Sequence, residues 1–238
     1  MHRKGAQDAK KAKIFTKLIR EIIVAAKTGQ PDPQFNARLR TAISAAKKAS
    51  TPKDKIDNAI KKGSATEVGE NYEEVRYEGY AAGGVAIIAE SLTDNRNRTA
   101  SEVRSMFTKF GGSLGETGSV NFMFDRLGYI EYPADKASEE AIFEAAIEAG
   151  AADCQSNKDI HEIYTEPAQL NEVREVLAKK FGEATVAKLS WKPKNTVPVD
   201  QEKAEAVMKL VDALEDNDDI QSVYANFDIS EEIMRKLA

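Results

Sequence analysis

The chain has 238 residues, 42% of them apolar and 31% charged, a composition of folded domains rather than of a disordered or fibrous chain. Two or three domains are expected at that length, and the apolar run at 22–26 (IIVAA) is far too short for a membrane-spanning helix, so none is predicted. The net charge of −5 hides a split: residues 1–63 hold 16 Lys and Arg against 5 Asp and Glu, whereas the rest holds 18 against 34.

Residues 7–62 read as three helices. Ile14, Phe15, Leu18, Ile19, Ile22 and Ile23 recur at helical spacing on the first, and the GQPDP segment at 29–33 stops it, because proline removes an amide donor and restricts its predecessor. Phe35, Leu39, Ile43 and Ala46 form the stripe of the second. The third is predicted to open with Thr51 at the N-cap and Pro52 at its first position, to bury Ile56, Ala59 and Ile60, and to end at Gly63. The polar segment 64–71 marks the charge reversal and the first domain boundary.

Beyond it the pattern turns strand-like at 72–80 and 85–89, with GYAAGG (79–84) between them. A helix follows, carrying Ala100, Val103, Phe107 and Phe110 on one face, with Thr99 and Glu102 as a capping box and Gly111-Gly112 at its end. Alternation of Val120, Phe122 and Phe124 predicts a strand over 119–125. From residue 128 the order is strand 129–133, helix 138–149, strands 152–157 and 160–166, helix 167–181 and strand 185–192, which is the βαββαβ arrangement of a ferredoxin-like unit. A helix carrying Val207, Leu210, Val211 and Leu214 and a strand over 221–228 are left over. The middle region needs a second helix and a closing strand, so the economical arrangement returns residues 196–238 to the domain begun at 72–127 and makes 128–195 an insertion. The expected fold class is α+β: an N-terminal three-helix module (1–71) followed by two α/β domains, one ferredoxin-like and inserted into the other.

The residues offer little to an enzyme. His2 and His161 stand in no metal or nucleophile–base spacing, and His161 is expected to be a half-exposed strand residue. GYAAGG lacks the Lys-Ser/Thr of a phosphate loop and is better explained as a hairpin turn. Cys154 is alone, so no disulfide framework or Cys-based metal site is expected, in keeping with a reducing cytosol, and its own place is the core. Asp8 and Glu21 interrupt the basic N-terminus and no small-residue cleavage site follows, so it reads as mature protein rather than a presequence. No cofactor, metal or small-molecule substrate is predicted, and a cytoplasmic location is expected.

The basic module carries the functional signal. Arg3, Lys4, Lys10, Lys11, Lys13 and Lys17 crowd the first helix and its approach, and Lys47, Lys48, Lys53, Lys55, Lys61 and Lys62 form a second cluster. Carboxylates are too scarce nearby for i,i+4 pairing to absorb them, so a polyanion whose counterions they displace is the expected partner, and nucleic acid is the first candidate. A further site is placed at Arg96 and Arg98, which stand at a predicted helix N-terminus where the macrodipole disfavours cations. Either an anion is shared between them, or they pair with Asp94, Glu90 or Glu102.

The strings HRKGAQDAKKAKIFTKLIREI (2–22), KDKIDNAIKKG (53–63), YEGYAAGGVAII (77–88), NRNRTASEVRSMFTKFGGSLGETGSVNFMF (95–124) and DDIQSVYANFDI (218–229) resemble the YebC/PmpR family along essentially the whole chain. Members usually carry a Gly-His-Ser-Lys-Trp type segment before the stretch that starts here at His2, and Ala82 stands where a Pro is common. The resemblance implies three domains, one inserted in another, and a non-enzymatic regulator of gene expression: a DNA-binding transcriptional regulator as the family is described, or a factor engaging RNA or the ribosome in translation. A nuclease would need clustered carboxylates as metal ligands, and a protein–protein adaptor would use the acidic insertion as its docking face.

Overall fold

The computed structural model describes residues 2–65 and 71–237, with side chains from Lys11 onward apart from those of residues 231 and 237. It divides into two compact units, Met1–Phe124 with Pro193–Ala238, and Asp125–Lys192. Among the described residues no helix is long and apolar enough to cross a membrane.

The first unit opens with three helices, α1 (His2–Thr28), α2 (Ala37–Lys48) and α3 (Lys53–Ser64). Ile22, Ile23, Ala25 and Ala26 of α1 close over Leu39, Ala42 and Ala46 of α2 and Ile56 and Ala59 of α3. The α1–α3 contact is close enough to require glycine, since a Cβ at Gly63 would stand 2.4 Å from the Ile23 carbonyl oxygen. Two expectations fail at the helix ends. Phe35 belongs to the loop and is 73% exposed, because Asn36 caps α2 by accepting from the Leu39 amide. Thr51 is drawn into the C-terminal turn of α2, its N–H bonded to Ala46 O, so the N-cap of α3 falls to Pro52 and the buried Thr51 hydroxyl caps nothing. Ile14, predicted inside, is 48% exposed because core packing on α1 concentrates at residues 22–26.

The second half of this unit is a sheet of order β3-β1-β2-β9, built from β1 (Glu73–Tyr80), β2 (Ala86–Thr93), β3 (Ser113–Leu114) and β9 (Ile220–Ala225). β1 and β2 form an antiparallel hairpin through the turn at Ala82–Gly84, where Gly83 and Gly84 both take φ 77°. The helices α4 (Arg96–Lys109) and α7 (Gln201–Glu215) cover the sheet, burying Val103, Phe107, Val207, Leu210 and Leu214 against Val85, Ile87 and Ala89. β9 runs antiparallel beside β2, with Ile88 opposite Tyr224, so the end of the chain supplies the edge strand of the sheet begun at residue 73. The cap of α4 is Asn95, whose side chain accepts from the Arg98 amide, rather than the Thr99–Glu102 box; Thr99 is fully buried within the helix. Of the strand expected over 119–125 only residues 124 and 125 are strand; before them Asn121–Met123 form a 3-10 turn, which leaves Phe122 61% exposed. Its cause is Glu78, a fully buried β1 side chain whose carboxylate accepts from the Val120 and Asn121 amides at 2.9 and 3.0 Å. Those bonds turn the backbone away from a ladder. Burial alone would raise the Glu78 carboxyl, but these amides and Arg76 hold it below the usual carboxylate range.

The second unit runs β4 (Phe124–Pro133), α5 (Glu139–Glu148), β5 (Asp153–Ser156), β6 (Ile160–Thr165), α6 (Leu170–Phe181) and β7 (Val186–Pro193), with β4 beginning at the boundary. Its sheet order is β5-β6-β4-β7, the ferredoxin-like order expected of βαββαβ. Ile130, Tyr132 and Ile163 pack under Ile142, Ala146, Val173 and Leu177. Cys154 is buried there, its thiol pushed up to about 11 by burial and by Asp153 and Glu139. His161 is buried rather than half-exposed, bonded to Ser156 Oγ through Nδ1 at 2.7 Å and to the Ala137 carbonyl through Nε2 at 3.1 Å. The chain leaves through the short parallel pair β8 (Val197–Pro198) and β10 (Phe227–Asp228) around α7 and β9, and ends in α8 (Glu231–Leu237).

Candidate nucleic-acid interface

The helical module sorts its cations into two sets. On α1, Lys13 pairs with Asp216 at 3.2 Å and also donates to the Asp216 carbonyl at 3.0 Å. Lys17 donates to the Glu215 carbonyl, and burial pulls its ammonium below the ordinary value against the opposing pull of Glu215, Asp218 and Asp216. Arg20, one turn further, donates to the Asp218 carbonyl at 2.6 Å and to Asp219 Oδ1, and lies over the Tyr72 ring. Lys11 is exposed, and the side chains of Arg3, Lys4 and Lys10 lie outside the described residues.

The receiving surface is the C-terminal end of α7. Asp and Glu there oppose the helix dipole, since the free carbonyls already carry partial negative charge, and α7 has no basic residue in its last turn. Cations from elsewhere are required, and α1 delivers three. A fourth arrives from α4. Arg98 Nη2 reaches Asp219 Oδ2 and Asp94 Oδ1, each at 2.8 Å, so the α4 N-terminus gives one of its misplaced cations to the acidic segment that follows α7. These two carboxylates hold the Arg98 guanidinium above its ordinary value, Asp219 first.

Asp219 is the centre of this cluster and only 3% exposed. Besides the two arginines it accepts from Thr99 Oγ1 at 2.6 Å and Thr93 Oγ1 at 3.3 Å. Burial would raise its carboxyl, yet Arg98, Thr99 and Arg20 hold it below the carboxylate range. The carboxylate thereby ties α1, β2, α4 and the start of β9. Arg96 contributes its carbonyl to Tyr77 Oη at 3.3 Å, while its exposed side chain has no ion-pair partner among the described residues.

The second set behaves differently. Lys47, Lys48, Lys53, Lys55, Lys61 and Lys62 are all exposed on α2 and α3, and among the described residues no ion pair holds Lys47, Lys53, Lys55, Lys61 or Lys62. The arginines of α2 are occupied: Arg38 grips Glu21 in a bidentate pair at 2.6 and 3.0 Å and reaches Glu74 at 2.7 Å, and Arg40 donates to the carbonyls of Pro33 and Gln34. The structure therefore separates Lys13, Lys17 and Arg98, which face internal acids, from the lysines of α2 and α3, which face solvent. Sequence reading missed Asp219, Glu78 and Arg20. An acidic run at a helix C-terminus with no local base was the available signal for the first.

Residues 1–66 match the family model described as TACO1/YebC protein N-terminal domain, and residues 72–227 match that described as TACO1/YebC second and third domain. The chain belongs to the TACO1/YebC family. A solved structure titled a conserved hypothetical protein Aq1575 from Aquifex aeolicus is 55% identical, with a TM-score of 0.88 over 95% of this chain and 94% of that one. The fold described above is thus a family fold, in which helices precede two sheet-containing domains.

Proposed function

We propose that this TACO1/YebC-family chain is a non-enzymatic, nucleic-acid-binding regulator of gene expression, acting in the cytoplasm through the lysine face of α2 and α3. The observation that carries this reading is that Lys47, Lys53, Lys55, Lys61 and Lys62 are exposed and held by no ion pair among the described residues, in a module whose other described cations are largely neutralised by the chain itself. Lysine on a helical surface neutralises phosphate without reading sequence. The second-and-third-domain model bears a transcriptional-regulator name, which supports DNA and transcription as the setting.

A second reading, RNA or ribosome engagement in translation, is favoured by a specific observation: Arg20, Arg38 and Arg40, the described arginines of the helical module, are each held by the protein itself, so that module offers mainly lysine, which suits backbone contact better than major-groove base readout. Sucrose-gradient fractionation of lysate at low and moderate salt separates the two. Migration with ribosomes supports translation, migration with nucleoid DNA supports transcription, and migration with neither at either salt contradicts the proposal. Charge reversal of Lys47, Lys61 and Lys62 to Glu is expected to abolish whichever association is found.

A further inference from the structure

Among the described residues Phe35 is the most exposed large apolar side chain, at 73%. The loop that carries it is firmly held. Its own N–H bonds to Asp32 O at 3.1 Å, and the Gln34 N–H bonds to Asp32 Oδ1 at 2.8 Å. Arg40 Nη1 donates to the carbonyls of Pro33 and Gln34 at 2.9 and 3.2 Å. Asn36, 8% exposed, donates from Nδ2 to the carbonyls of Ala25 and Gln30 at 2.7 and 2.8 Å, and its Oδ1 accepts from the Leu39 amide at 3.0 Å. The backbone on both sides of Phe35 is thus fixed, and the ring stands in water on a braced support. An aromatic ring held this way gains nothing inside the chain, but it has already lost the loop freedom that binding would otherwise cost.

The surrounding charge indicates what the ring meets. Asn36 is anchored to Ala25, and Gly63 of α3 lies against Ile23 and Ala26 of the same helix, where a Cβ would stand 2.4 and 2.7 Å from their atoms. The loop of Phe35 and the C-terminal turn of α3, bearing exposed Lys61 and Lys62, therefore share one end of the module. An apolar protein pocket would answer the ring and leave both ammonium groups unmatched. A nucleotide strand supplies a planar base for the ring and phosphates for the lysines.

We propose that Phe35 is a base-stacking residue, on which an unpaired base lies while Lys61 and Lys62 engage neighbouring phosphates, so that the module prefers single-stranded to duplex nucleic acid. This rests on the nucleic-acid reading above and adds the strandedness of the ligand. Base faces inside a duplex are covered by their neighbours, whereas those of a single strand are open to an aromatic side chain.

The test uses the full chain and two fluorescent probes, a short unstructured RNA strand and the same strand annealed to its complement. Phe35→Ala is expected to weaken single-strand binding roughly 5- to 150-fold and leave duplex binding and thermal melting unchanged, whereas Phe35→Trp is expected to keep the wild-type affinity. Wild-type affinity of Phe35→Ala for the single strand overturns the proposal, as does an equal loss on both probes. If the wild-type chain binds neither probe, the nucleic-acid reading falls and this proposal with it. If it binds and Phe35→Ala makes no difference, only the stacking assignment falls.

Discussion

Two faces of one helical module use the same kind of residue for opposite purposes. On α1, Lys13, Lys17 and Arg20 turn to the acidic end of α7 and fasten the module to the sheet domain within the first unit. On α2 and α3, Lys47, Lys53, Lys55, Lys61 and Lys62 have no such anchor and face solvent. The comparison teaches that a surplus of cations in a sequence is not the same as cations available to a partner. What decides is whether an unfavourable anion elsewhere in the chain, here a carboxylate run on a helix C-terminus, requires them first.

The largest effect is expected where the fastening is centred. Asp219→Ala removes the partner of Arg20, Arg98, Thr99 and Thr93 at once and should cost about 3–5 kcal/mol in urea unfolding, the usual cost of breaking a buried pair from one side. A loss below about 1 kcal/mol would show that the α1 face is no better anchored than an ordinary surface pair. Glu78→Gln probes a buried carboxylate whose polar partners are Arg76 and the amides of the 118–121 turn, and should cost about 2 kcal/mol through weakened bonds to that turn. Both carboxyls are held low in the folded state. Their contribution is therefore present above the unfolded-state values near 4 and is lost as pH falls through the lower folded values. Acid titration of stability should be flat from neutrality to about pH 5 and then decline, and Asp219→Ala should make that decline shallower.

Much of the fold was legible in the sequence, because hydrophobic spacing and turn residues report local geometry. The ferredoxin-like order and the hairpin around Gly83-Gly84 both emerge from pattern alone. What escaped was tertiary. Val120, Phe122 and Phe124 alternate as a strand should, but Glu78, more than forty residues away in sequence, captures the amides that strand pairing would use. Thr99 looked like half of a capping box and is instead a buried donor to Asp219. Phe35 fitted a helical stripe because periodicity does not reveal that Asn36 takes the cap. In the site, the lysine clusters were visible by count, yet which of them are anchored to acidic groups of the chain depends on the segment around the end of α7, which lies far along the chain.

At the small end of the scale, Lys13→Gln should cost less than about 1 kcal/mol, since its pair with Asp216 is largely exposed, and should leave nucleic-acid affinity unchanged. A clear loss of affinity without a loss of stability would move Lys13 into the binding face and blur the distinction between the two sets.

The most direct measurement is the salt dependence of nucleic-acid binding, compared between Lys13→Gln/Lys17→Gln and Lys47→Gln/Lys61→Gln/Lys62→Gln. Each phosphate contact contributes about 0.7 to 0.9 to the slope of log K against log salt. The account predicts that the α1 double variant keeps the wild-type slope, while the α2–α3 triple variant is shallower by about 2 to 3. A shallower slope for the α1 variant with no change for the α2–α3 variant would contradict it.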